Sequence, residues 1–305
     1  MSHIFNFSFS MKIQRIALNL TIMDQTLLDT FKRNSHRVVE LIFKSTGDDT
    51  IVEGKTISTS DHAAAGYMYI DYHIPEIIGK VLSIHKGIDN YYLMDPHIEL
   101  TNRTALIASG VSNYIMEKLY GKAELVKKAV VLPQNEFIDS INMLNRLSTK
   151  DKIDDVLFFM HLSNTVNQDK RTYTSHDIIN RFRYIWSAFN ALYEVTTTAN
   201  GDKASIVQFS KKRDVIAFIN SGYCREYLDS LKSANLELRN SNNVSLKLKD
   251  ALHNNNNEAV SENALLCAYA IRNSNFHGTN DETTAYCRIG YELIHSLIKF
   301  YLPIF

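Results

Sequence analysis

The sequence predicts a mainly α-helical protein in two parts, an α+β domain over residues 1–135 followed by an all-α helical bundle over 136–305. Two patterns carry this. At the N-terminus Phe5, Phe7, Phe9, Met11 and Ile13 alternate strictly with Asn6, Ser8, Ser10, Lys12 and Gln14, the period of a strand with one buried face. Beyond about residue 150 the apolar residues recur instead at helical spacing, and no strand pattern returns. The two patterns meet between Pro133 and Lys152, where no Gly/Ser linker intervenes and the helical stretch Glu136–Leu147 suits either side.

In the first part a helical stretch is expected at Asp24–Lys32, then strands at Val38–Phe43, Thr50–Ile57 and Tyr67–Ile74, with a turn at Gly47-Asp48-Asp49. Pro75 suits a helix start, and Glu76–His85 continues it. Asn90–Met94 reads as a strand. A helix is expected from Thr101 through Leu106, Val111, Tyr114 and Leu119 to Gly121, and a short apolar piece, Ala129–Leu132, ends at Pro133.

The second part reads as helices. The first is Ile153–Val166, and a long one runs from Ser175 to about Thr197. Its apolar positions, Ile178, Phe182, Ile185, Trp186, Phe189, Leu192 and Tyr193, share one face, and Arg183, Ser187, Asn190 and Glu194 form a polar stripe. Helices follow at Lys203–Ile219 and Tyr223–Leu231. Asn235–Asn257 is polar and is expected to be a loop holding at most one short helical piece. Its last asparagines are good N-caps for the helix Glu258–Ile271, which Gly278 is placed to end. Glu282–Tyr301 is the final helix, apolar at Tyr286, Ile289, Leu293, Leu297 and Phe300.

The bulk composition narrows the function classes. With 33 Lys+Arg against 33 Asp+Glu the formal net charge is zero, which argues against a protein that coats nucleic acid non-specifically but leaves room for a local basic cleft. A hydrophobic content of 45% and a charged content of 22% are those of an ordinary globular chain. The three cysteines, Cys224, Cys267 and Cys287, have no metal-binding spacing and read as buried free thiols. Together with the lack of a signal-peptide pattern they lead us to expect a reducing, cytoplasmic setting and no membrane association. No Walker or dinucleotide fingerprint is present. Asp71-x-His73 and Asp95-Pro96-His97-x-Glu99 offer metal-ligand residue types at spacings that fit no familiar site, so no metal or other cofactor is expected.

The chemistry concentrates at Arg272-Asn273-Ser274-Asn275-Phe276-His277-Gly278, where an apolar helical run should stop. An arginine can hold phosphate oxygens and a histidine can move protons near neutral pH. On a straight helix five residues turn the two side chains about 140° apart, taking roughly 100° per residue, so they act together only where the helix ends or bends. The plain alternative is a capping pair of cations at a helix C-terminus.

The R-N-x-x-x-H pattern resembles the signature of the HEPN superfamily, helical bundles that include many metal-independent ribonucleases. The run Phe182–Glu194 is similar to the first long helix of many of its members. The resemblance covers roughly the C-terminal half of the chain. It implies a homodimer whose two motifs face one cleft, with Arg272 holding the scissile phosphate, Asn273 orienting the arginine or the phosphate, and His277 serving as acid or base. Asn190 and Glu194 are the supporting candidates on the earlier helix. RNA would be cut to 2′,3′-cyclic phosphate and 5′-hydroxyl ends, in the manner of prokaryotic defence or toxin nucleases, with the first domain sensing a trigger or restraining the nuclease and with room for a regulatory partner. The other branch of the resemblance is a non-catalytic module that binds RNA, nucleotide or a protein partner. A further branch carries a tyrosine two residues after the histidine; here that position is Thr279.

Overall fold

The computed structural model describes residues 3–60, 62–85, 87–88, 91–101, 130–148, 150, 152–166, 174–238, 242–274 and 281–304. They divide into two compact units, the first running to Asn145 and the second starting at Arg146. His277, Gly278, Thr279 and most of the helix expected after Thr101 lie outside the described residues.

In chain order the first unit holds β1 (His3–Gln14), β2 (Ile16–Ala17), β3 (Leu20–Ile22), α1 (Gln25–Leu28, extended by a 3₁₀ turn), β4 (His36–Thr46) and β5 (Asp49–Ser60). It continues with α2 (Ala63–Met68), α3 (Ile74–Ile84), β6 (Tyr92–Leu93), β7 (His97–Leu100), β8 (Val130–Val131) and most of α4 (Gln134–Ser148). Its sheet is antiparallel in the order β3-β4-β5-β1-β6, with β7 also on β1. β1 pairs with β5 from His3 opposite Ser60 to Gln14 opposite Asp49, and the alternating Phe5, Phe7, Phe9, Met11 and Ile13 are all buried. Opposite these large side chains β5 presents small ones. Gly54 faces Phe9 and Thr56 faces Phe7. A Cβ on Gly54 would stand 2.4 Å from the Phe9 ring, so only glycine leaves room there. Gly47, at φ +72°, turns β4 into β5.

Tyr67–Ile74 is helical, not the expected strand. Tyr69–His73 forms a π-helical turn that joins α2 to α3. Two causes act together. Ile70, Ile74, Ile77, Ile78 and Val81 are buried at helical spacing, so tertiary burial overrides the β propensity of the segment. Pro75 cannot donate a backbone hydrogen bond and crowds the preceding turn, and the widened turn lies directly before it. Pro75 stands in the first turn of α3, as its sequence position suggested, and the π-helical turn runs directly into it. The boundary expected at 135/136 also moves. In α4, Phe137 stands edge-on to Phe43 at 5.0 Å, and Glu136 Oε2 is 2.9 Å from Nε2 of His85, so α4 as far as Asn145 belongs to the first unit.

The second unit contains α5 (Ile153–Thr165), α6 (Ser175–Thr196), α7 (Asp202–Ser210), α8 (Arg213–Ile219), α9 (Arg225–Lys232), the short strands β9 (Glu237–Leu238) and β10 (Asn242–Asn243), α10 (Val244–His253), α11 (Asn257–Ser274) and α12 (Asp281–Tyr301). α6 packs against α5, α12 and α7, and α11 packs against α7, α8, α10 and α12. α6 opens with a capping box: Asp177 N donates to Thr174 Oγ1 at 3.3 Å and Thr174 N donates to Asp177 Oδ2 at 2.8 Å. The whole predicted apolar stripe of α6 is buried. One expectation fails and one is refined. Lys203–Ile219 is two helices, because extended backbone at Lys212 (ψ 136°) re-aims the chain so that both Phe209 and Phe218 become buried. The polar stretch 235–257 holds one helical piece, as the sequence allowed, but it is the ten-residue α10, capped by Asn243, whose Oδ1 accepts from Leu246 N at 2.8 Å. Its buried Ser245 hydroxyl donates to Leu231 O at 2.7 Å and accepts from Leu236 N at 3.0 Å, so polar composition there did not mean exposure. No described helix is long and apolar enough to cross a membrane.

Candidate active site

α11 begins where Asn256 Oδ1 accepts from Ala259 N at 3.1 Å, with Glu258 in the first turn. Its middle is buried on nearly every side by small and aliphatic residues, among them Ala264, Leu265, Cys267, Ala268 and Ile271. Ser261 Oγ donates to Ser210 O at 2.8 Å and ties the helix to the end of α7. Polar residues return only in the last turn, at Arg272, Asn273 and Ser274. Arg272 and Asn273 are half-buried there, and Nη1 of Arg272 donates to Asn273 Oδ1 at 3.0 Å. A cation in the last turn also suits the negative end of the helix dipole.

Across from this turn lies α6. Asn190 does not reach outward on its own. The buried Tyr193 hydroxyl points to Oδ1 of both Asn190 and Asp202, the latter at 3.1 Å. Burial above all, and then the charge and hydrogen bond of Asp202 and the charge of Glu194, push the Tyr193 pKa far above its ordinary value, while the Arg272 guanidinium pulls the other way. Tyr193 therefore stays protonated at neutral pH and acts as a fixed donor. Arg272 is close enough to be felt by it. Glu194 is exposed and forms an ion pair with Lys152 at 3.0 Å, so its carboxylate is held toward the start of α5.

The structure thus brings Arg272 and Asn273 together and sets Asn190 and Glu194 on the neighbouring helix, either side of Tyr193. Tyr193 and Asp202 were missed by the sequence reading. Tyr193 sat on the apolar stripe and read as core, and Asp202 lay just ahead of the expected helix start. The i, i+3 step from Asn190 to Tyr193 and the helix-opening Asp202 were the available signals. Arg183 and Ser187, also on the polar stripe, serve locally: Ser187 Oγ donates to Arg183 O at 3.1 Å.

No protein-family model, curated protein or solved structure matches this chain. The reading of the site accordingly rests on its own residues. Among the described residues no group of three or more His, Cys, Asp and Glu is placed to hold a metal ion. His73 lies on the π-helical turn with Nδ1 3.5 Å from Arg33 Nη1, while His97 and Glu99 contact each other at 3.3 Å on the outer edge of the sheet. All three cysteines are buried free thiols, and burial pushes Cys224 up to about 11 and Cys267 to about 12, which leaves them as thiols at neutral pH.

Proposed function

We propose that the second unit is a HEPN-type bundle acting as a metal-independent endoribonuclease. The observation that carries the reading is the Arg272–Asn273 contact at the exposed end of an otherwise buried helix, five positions before His277. The reaction needs few parts. The ribose 2′-oxygen attacks the adjacent phosphorus while a base takes its proton. The bond from phosphorus to the 5′-oxygen breaks, and an acid protonates that leaving oxygen. A cation stabilises the extra negative charge on the phosphate between the two steps. Arg272 suits the last role, because its planar fork of N–H donors matches two phosphate oxygens. His277 suits acid or base work near neutral pH. One chain carries one such pair, so acid and base together call for two chains and a shared cleft. A role in defence or toxicity and a sensing role for the first unit are parts of the same proposal and rest on analogy with the family.

The test is direct. Purified protein is incubated with single-stranded RNA in excess EDTA, and the product ends are analysed. Cleavage to 2′,3′-cyclic phosphate and 5′-hydroxyl ends is the expected outcome. RNA that is bound but left intact with and without EDTA would replace this reading with a non-catalytic binding module.

A further inference from the structure

A shallow cavity of about 830 Å³, wide open to solvent, lies beside the candidate active site, between the chain leading into α7, one side of α7 and a single aromatic residue of α11. Its lining includes Asn200, Lys203, Val207, Gln208, Lys211 and Tyr269. Tyr269 precedes Arg272 by three residues on α11, which is less than one turn and about 4.5 Å along the axis at the usual rise. Cavity and guanidinium are therefore neighbours on one helix face.

Three features of the lining point to one class of occupant. The Tyr269 ring is half-buried and lies nearly parallel to Trp186, with centroids 6.0 Å apart and an interplanar angle of 26°. Trp186 is in turn packed edge-on against Phe189 at 5.4 Å, so the platform is held rigid from behind. Two lysines share its lining. Lys203 is exposed and makes no ion pair among the described residues, and Lys211 has only an exposed partner, Glu258, at 3.6 Å. The one carboxylate in the lining, Asp202, is turned to the Tyr193 hydroxyl at 3.1 Å. Gln208 is spent on architecture: its Oε1 accepts from Thr198 N at 2.9 Å and Ala199 N at 3.0 Å, which shapes the rim. An aromatic platform with exposed cations in the same lining is the arrangement that takes an unstacked base and its phosphates. A base-paired strand offers no free base face to the ring, so the same arrangement discriminates against duplex.

We propose that this cavity is a base-binding subsite of the nuclease, in which an unpaired nucleotide of the RNA stacks on Tyr269, with its backbone phosphates against Lys203 and Lys211, and so delivers the adjoining phosphate to Arg272. The proposal rests on the nuclease reading of Arg272 and His277 and adds a substrate class to it, RNA that is single-stranded at the cut.

The test separates the two. A fluorescent 2′-O-methyl RNA single strand cannot be cleaved, because its nucleophile is blocked, so its binding to the full-length protein is read independently of chemistry. Binding is expected for the single strand and much less for the same strand annealed to its complement. Tyr269→Ala should weaken single-strand binding about 5- to 150-fold, the loss of one stacking platform, while Tyr269→Phe retains it. Lys203→Glu combined with Lys211→Glu should also weaken binding and flatten its salt dependence. These lysines are exposed, so this variant decides the matter if Tyr269→Ala fails to fold. If both variants bind as the parent does while unmodified RNA is still cut, the subsite is overturned and the nuclease stands. If they lose binding but the parent never cuts RNA, the subsite stands and the nuclease falls. A parent protein that does not bind the single strand overturns the subsite.

Discussion

At the residue scale the guanidinium of Arg272 is defined by its neighbour. Asn273 accepts one of its N–H groups at 3.0 Å and so sets the plane of the fork. Arg272→Ala and His277→Ala should each lower RNA cleavage in EDTA by a factor of about 10² to 10⁴, the usual cost of losing an acid, a base or its charge partner. Arg272→Lys should recover little, since an ammonium point charge does not reproduce a bidentate donor. Single-turnover cleavage, with circular dichroism to verify folding, checks this; undiminished cutting by His277→Ala would locate the chemistry elsewhere. A second residue, His295, makes a prediction about stability. It is 2% exposed and stacks on Tyr291 at 5.0 Å. Burial foremost, then the cations Lys299 and Arg181, hold its pKa well below the ordinary value. The unfolded chain takes up this proton below about pH 6.5 and the folded one does not, so the unfolded state binds more protons and acid favours it. The contribution is intact above about pH 6.5 and declines as the pH falls further. Urea melts should therefore show a midpoint that drops from about pH 7 to about pH 5, with a flatter slope for His295→Gln.

At the scale of elements, close approaches decide the sign of substitutions. Gly290 lies in α12, where helix propensity alone would have Ala stabilise by about 1 kcal/mol. A Cβ there would stand 2.7 Å from Cε2 of the fully buried Phe182 of α6. The ring is fully buried and tilted against Trp186 at 6.1 Å, so Gly290→Ala should destabilise the protein by about 1–3 kcal/mol, measured by chemical denaturation. A stabilised variant would mean that the α6–α12 contact is looser than described. In β1, Phe7 is 1% exposed, meets Tyr67 edge-on at 5.1 Å and crowds Gly66 of α2. Phe7→Asp places an unpaired carboxylate there and should cost several kcal/mol, on the order of 4. Loss of the first unit's melting transition is the expected reading, and native-like melting would contradict the central place of β1.

At the scale of the whole molecule, the proposed chemistry asks for more than one chain supplies. A single Arg/His pair leaves either the acid or the base unfilled, and a two-fold axis brings a second copy of each to the same cleft. We therefore expect a homodimer through the second unit wherever RNA is cut, with activity falling on dilution through its dissociation. Light scattering beside the cleavage assay checks this; a monomer that cuts RNA at full rate would refute it. The balanced net charge fits such an enzyme better than a general RNA-coating protein, because Lys203 and Lys211 are placed in one lining and no basic excess is spread over the chain.

The sequence by itself determined the parts whose periodicity is local. The alternation of Phe5 to Ile13 declares a strand, the stripe from Ile178 to Tyr193 declares a helix face, and the return of polarity at Arg272 declares a helix end. Such patterns are legible because a strand or an amphipathic helix repeats its burial every two or every 3.6 residues. Only the tertiary structure decided the rest. Tyr67–Ile74 became helix because Ile70 and Ile74 found a core in that form, whatever their strand propensity. The polar segment after Asn235 became α10 because Leu231 and Leu236 supply partners for its buried Ser245. Around Arg272, the motif named the cation, but its surroundings, Tyr193 bound to Asp202 and Tyr269 stacked on Trp186, join residues of three helices. Contacts between distant segments depend on where each helix packs, and no spacing along one chain segment encodes them.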